Sequence, residues 1–155
     1  AVPSRAEFEP GFCRWMERVA RMAGNLDCKI EFHGQQGSLS LIRDYIQNRH
    51  PNLRVEYTLM AHWIELPALA ASIREDHMFV VVTARKGTVS YKLALEQLPE
   101  ELTRHFSGKS LMIIYPDQYG EQADAMTFAA PQHQEEQSAY NLLMAWIRKK
   151  LLNKK

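Results

Sequence analysis

The sequence predicts an α/β fold with three layers, a parallel sheet held between helices. Three observations lead there. Stretches with strand periodicity alternate along the chain with stretches of helical periodicity, an order that right-handed crossovers turn into a parallel sheet with helices on both faces. Two of the strand stretches, Phe79-Val-Val-Val82 and Leu111-Met-Ile-Ile-Tyr115, are unbroken apolar runs, the pattern of strands covered on both sides. The first of these runs into Thr83-Ala-Arg-Lys-Gly-Thr88, a small-residue turn with two cations and a glycine. Open parallel sheets present backbone N–H groups to anions at that place.

In chain order, Ala1-Val2-Pro3 reads as the last residues of a strand, as if cut from a longer polypeptide. Pro10 suits the first turn of a helix whose stripe is Phe12, Trp15, Met16, Val19, Met22 and Ala23, and Gly24-Asn25 ends it. Cys28-Lys-Ile-Glu-Phe32 alternates as a short strand. A turn at His33-Gly-Gln-Gln-Gly37 follows, and Ser38 or Ser40 can cap a helix carrying Leu41, Ile42, Tyr45 and Ile46. Residues 53–59 alternate again, with Leu53, Val55, Tyr57 and Leu59 on one face, as in an edge strand. The next helix opens at His62 or later, because Pro67 is tolerated only near a first turn. Its expected buried face is Trp63, Ile64, Leu69, Ala70 and Ile73. Residues 99–106 form a short helix with Pro99 and two acids at its start and cations near its end, before the apolar run 111–115. Residues 1–118 therefore form one α/β domain. Residues 119–155 read as a linker and a C-terminal basic amphipathic helix, with Tyr140, Leu143, Met144, Ile147 and Leu151 on one stripe. That stripe fits packing on the domain, a partner helix, or an anionic membrane surface.

Composition bounds the function. The chain has 155 residues, 46% apolar and 24% charged, with a formal net charge of +1. A length of this order suits one core. The balanced charge gives no bulk electrostatic footprint for nucleic acid. No apolar run approaches the ~20 residues needed to span a bilayer. Ala1-Val2-Pro3-Ser4 leads into a polar segment, so no signal peptide is read. Cys13 and Cys28 form no CxxC and are expected to be buried, reduced thiols.

Val80-Val-Val-Thr-Ala-Arg-Lys-Gly-Thr-Val-Ser-Tyr91, Leu98-Pro-Glu-Glu-Leu102 and Leu111-Met-Ile-Ile-Tyr-Pro-Asp-Gln118, in that order, resemble the universal stress protein fold. More narrowly they resemble the stress-protein-like cytoplasmic C-terminal domains of bacterial cation:proton (sodium/hydrogen) antiporters. Val2-Pro3 through Glu9-Pro-Gly-Phe12 fits the opening of the second domain of such a tandem pair. The resemblance implies a five-stranded parallel sheet in the order 3-2-1-4-5, adenine-nucleotide-hydrolase-like, with strand 1 shortened. It also implies a homodimer through the edge at residues 111–115 (Leu111, Tyr115), and a location at the inner (plasma) membrane through an upstream transmembrane region.

Nucleotide-binding members of that family carry Gly-x2-Gly-x9-Gly-(Ser/Thr) after strand 4 and an aspartate at the end of strand 1. The glycines let backbone N–H groups close on phosphate oxygens. Here those places hold Ala84, Gly87 and Gln97-Leu98, and Val2-Pro3-Ser4 stands where the aspartate would be. The ATP site is degenerate and no cofactor is expected. Ala84, Arg85, Lys86, Gly87, Thr88 and Ser90 remain the candidate anion-binding residues: two cations, a glycine turn and two hydroxyls. The alternative is a solvated loop around a glycine turn. The histidines, His33, His50, His62, His77, His105 and His133, show no metal-site spacing. No catalytic nucleophile is evident. The expected function is a non-catalytic regulatory or assembly domain of an antiporter. The alternative is a free-standing nucleotide-binding stress protein.

Overall fold

The computed structural model describes residues 1–118; the linker and C-terminal helix expected over 119–155 lie outside the described residues. The elements in order are a 3-10 turn at Ala6–Phe8, α1 (Phe12–Asn25), β1 (Ile30–Gly34), α2 (Gln36–Arg49), β2 (Val55–Leu59), a 3-10 turn at Trp63–Glu65, α3 (Leu66–Ser72), β3 (Met78–Val82), a 3-10 turn at Leu93–Glu96, α4 (Leu98–His105) and β4 (Ser110–Ile114). The α/β alternation is as expected.

Both strand pairings are parallel. β1 runs beside β2, from Ile30 opposite Val55 to Gly34 opposite Leu59, and β3 runs beside β4, from Met78 opposite Ser110 to Val82 opposite Ile114. They form two separate two-stranded sheets, not the single five-stranded sheet the resemblance implied. The reason lies in Ala1 and Val2. The Val2 N–H donates to the His33 carbonyl at 2.9 Å. The Ala1 amine donates to the Val80 carbonyl at 2.6 Å, and the Ala1 carbonyl accepts from the Val82 N–H at 2.9 Å. One bond to β1 and two to β3 hold the stub between the sheets without extending a ladder along either.

Two cores follow from the alternation of side chains along β3. Val82, with Ile114 beside it on β4, faces a core built from α1 and α2, where Phe12 meets Trp15 and Tyr45 edge-on. Phe79 and Val81 face the other core, with Leu66 and Ala70 of α3 and Leu98 and Leu102 of α4, and Phe79 stacks on Phe106 at 4.3 Å between centroids. The run 79–82 is continuous because both of its faces are covered.

Three expectations are corrected. β1 starts at Ile30, two residues after Cys28, so Cys28 is exposed while Cys13 is buried in α1. Ile64 is 86% exposed and the buried face of α3 is Leu66 and Ala70. There the His62 N–H donates to Glu65 Oε1 at 2.9 Å, closing a 3-10 turn that puts residues 63–65 out of phase with α3. Ser38 and Ser40 do not cap α2, which begins at Gln36. Ser38 lies within the first turn and is engaged from outside the helix.

Candidate functional site

The carboxyl ends of the strands are where an α/β sheet of this kind meets ligands. Three connections converge there: the turn from Ser4 to Gly11 after the N-terminal stub, residues 83–91 after β3, and residues 115–118 after β4. The site is organised by what the first connection carries, two carboxylates two residues apart.

Glu9 is 1% exposed. Its Oε1 accepts from the Ser90 backbone N–H at 2.8 Å and from the Ser90 hydroxyl at 2.5 Å. A backbone N–H and a hydroxyl converging on one oxygen is how a loop grips an oxyanion; here the oxyanion belongs to the chain itself. The loop is held from the other side by Gln118, which is also buried. The amide Oε1 of Gln118 accepts from the Arg85 N–H at 2.9 Å and from Arg85 Nη1 at 3.3 Å. Its Nε2 donates to Thr88 Oγ1 at 3.0 Å and to Ser90 Oγ at 3.3 Å. Arg85 Nη1 also donates to the Pro116 carbonyl at 2.8 Å, and the guanidinium lies over the Tyr115 ring at 5.4 Å. Thr88 Oγ1 donates to the Arg85 carbonyl at 2.7 Å.

The candidate residues are thus placed together, and most are engaged internally. Ala84 and Ser90 are buried, and Gly87 adopts φ of +88°, the left-handed region that accounts for glycine there. Arg85, Thr88 and Ser90 are tied to Gln118. Lys86 points outward, its side chain 85% exposed, with its Nζ 3.9 Å from Glu96.

Glu7 lies against the first turn of α2. Its Oε1 accepts from Ser38 Oγ at 3.0 Å, and Ser38 Oγ in turn accepts from the Arg5 N–H at 3.0 Å. Glu7 is 3% exposed and its Oε2 has no hydrogen-bond partner among the described residues. Burial above all pushes its pKa up, against the pull of its own backbone hydrogen bond, the Ser38 hydroxyl and the Arg5 charge. Arg5 itself sits at φ of 72°. Just past the end of β2 lies an open crevice of about 430 Å³, with Val2, Ser4, Met60, Trp63 and Lys92 on its walls.

Sequence reasoning missed Glu7, Glu9 and Gln118. The available signal was the Glu7-x-Glu9 spacing in the connection after the first strand, where the resemblance led us to look for an acid; hydrophobic periodicity says nothing about such a turn. Among the described residues there is no group of His, Cys, Asp and Glu side chains fit to hold a metal ion, and no helix long and apolar enough to cross a membrane. No protein-family model, curated protein or solved structure matches this chain.

Proposed function

We propose that this chain is a non-catalytic regulatory or assembly domain of a cation:proton antiporter, on the cytoplasmic side of the inner (plasma) membrane and joined to an upstream transport domain. In this reading its five strands form one sheet in the order 3-2-1-4-5, with the stub Ala1–Val2 as strand 1. The hydrogen bonds of that stub to both β1 and β3 support the order. The domain acts through dimer contacts made by the edge strand β4, whose Leu111, Ile113 and neighbouring Tyr115 are large, apolar and exposed. Lys86 and the loop around it are the place where a small anion would bias those contacts. A ligand does so only by favouring one arrangement over the other.

The observation that carries the non-catalytic part is the Glu9 carboxylate on Ser90. A phosphate approaching the loop after β3 meets a negative charge already holding the donors it would use. Calorimetric titration with ATP tests this: no binding at micromolar concentrations is expected. Micromolar binding would overturn the reading in favour of a free-standing nucleotide-binding stress protein, whose base would enter the crevice beside Met60 and Trp63. The antiporter context is tested separately by the coding sequence upstream of Ala1, where a series of membrane-spanning segments is expected and their absence would refute it.

A further inference from the structure

Beside α1 a groove of about 780 Å³ runs over β4, a volume in the range of small-molecule sites. Trp15 and Met22 of α1 form one wall, Met112 and Ile114 of β4 the other, and Arg14 and Arg18 stand on its rim. Both arginines are exposed and lie one helical turn apart. The acid of that helix, Glu17, is taken by Arg21 at 2.7 Å and His50 at 2.9 Å, and neither Arg14 nor Arg18 has an ion-pair partner among the described residues. Arg85 also lines the groove, against one acid, Asp117, so its charge is net positive.

A second observation is the indole of Trp15. The residue is 5% exposed, and its Nε1 is buried with no acceptor among the described residues. A buried indole N–H ordinarily has one. The polar and apolar parts of the groove are also separated along its length. The Gly11 N–H donates to the Asp117 carbonyl at 2.7 Å, tying the start of α1 to the chain that leaves β4. From that contact Arg14 and Arg18 lie about 5 and 10 Å along α1, and Met22 about 16 Å. Met112 lies about 16 Å back along β4. The cations stand towards one end and the two methionines at the other. Methionine is unbranched and adaptable, and walls made of it suit a flexible chain better than a rigid ring.

We propose that this groove binds a long-chain fatty acid, with its carboxylate at Arg14 and Arg18 and its hydrocarbon tail running towards Met22 and Met112. Guanidinium groups pair with a carboxylate through both of its oxygens. The remaining lone pairs offer Trp15 Nε1 the acceptor it lacks. One negative charge on one apolar chain matches what the groove presents. A neutral lipid leaves the arginines unmatched, and a cationic amphiphile is repelled by them. Lys86, Thr88 and Ser90 do not line this groove, so the site is separate from theirs and does not depend on the function proposed above.

Quenching of Trp15 fluorescence in the full 155-residue chain tests it, with Trp63→Phe and Trp146→Phe leaving Trp15 as the one indole. Stearate brominated in mid-chain is expected to quench at micromolar concentration. Arg14→Glu with Arg18→Glu is expected to weaken that binding at least about tenfold, and Arg14→Lys with Arg18→Lys to keep it within about threefold. Calorimetric titration of the parent chain gives an independent reading. Palmitate is expected to bind at least about a hundredfold more tightly than octanoate, since each buried methylene adds to affinity, and more tightly than its own methyl ester. No quenching by the brominated acid would overturn the inference, as would equal binding of the acid and its ester, or quenching unchanged by the arginine reversals. Quenching that appears only with vesicles of brominated phosphatidylglycerol would overturn it too, and would assign the groove to a membrane surface.

Discussion

Glu7 and Glu9 leave the same turn, two residues apart, and both are buried, yet they stand in opposite circumstances. Glu9 is met by a backbone N–H and a hydroxyl from one residue, Ser90, which Gln118 holds in place. Glu7 is met by the Ser38 hydroxyl and its own backbone N–H, leaves one oxygen without a partner among the described residues, and has its pKa raised by burial. The donors on Glu9 come from a distant loop, 81 positions along the chain, whereas one of the donors on Glu7 is its own backbone. Burial alone says nothing of what a carboxylate contributes, because the sign depends on how many donors are aimed at it.

The stub between the two sheets gives the largest effect. In the isolated 155-residue chain the free Ala1 amine is buried, and desolvation lowers its pKa from 8.0 to about 5; where an upstream segment is joined, the group is a peptide N–H and this effect vanishes. The unfolded chain binds that proton first on acidification. The stabilisation is therefore complete above pH 8 and is lost as the pH falls towards 5, by at most about 4 kcal/mol. His33, lowered by burial and then by the neighbouring amine, adds in the same direction. Urea midpoints of the 155-residue chain from pH 8 to 5 are expected to fall, and an N-acetylated chain to fall less. Equal slopes would show that the amine is solvated and the two sheets are not joined through it.

Next comes Glu9→Ala, which strips Ser90 of both acceptor contacts and is expected to cost about 3 kcal/mol in urea unfolding at pH 7. A loss under about 1 kcal/mol would mean that the Ser90 donors find water, and the contrast with Glu7 would collapse.

The smallest effect sharpens the comparison most. Glu7→Gln is expected to shift stability by under about 1 kcal/mol, towards greater stability at pH 7. A carboxyl whose folded pKa is raised favours folding at low pH and loses that advantage as pH rises through the folded value. The variant, neutral throughout, should therefore match the parent in acid and gain on it towards neutrality. A clear loss at pH 7 would place Glu7 in the same class as Glu9.

The layered alternation was legible in the residues because burial writes itself as periodicity. Phe79 to Val82 has both faces covered, and Val55 and Tyr57 alternate on a half-covered edge. Legibility failed where hydrogen bonds replace burial as the organising force. Trp63, Ile64 and Glu65 have helical spacing and form a 3-10 turn because Glu65 closes on the His62 N–H. The loop from Ala84 to Ser90 could be located as a place for an anion. That the chain supplies its own could not, because Glu9 and Ser90 are separated by 81 positions and meet only through the fold.

Gly11 carries a consequence of its own. A Cβ built there would lie 2.5 Å from the Asp117 nitrogen, so the chain leaving β4 is pressed against the start of α1 with no room for a side chain. That contact fixes the path of the chain from Tyr115, whose ring lies beside Arg85, to Gln118, which bonds Arg85, Thr88 and Ser90. A side chain at position 11 would therefore displace the 116–118 segment and with it the Gln118 amide that holds Thr88 and Ser90.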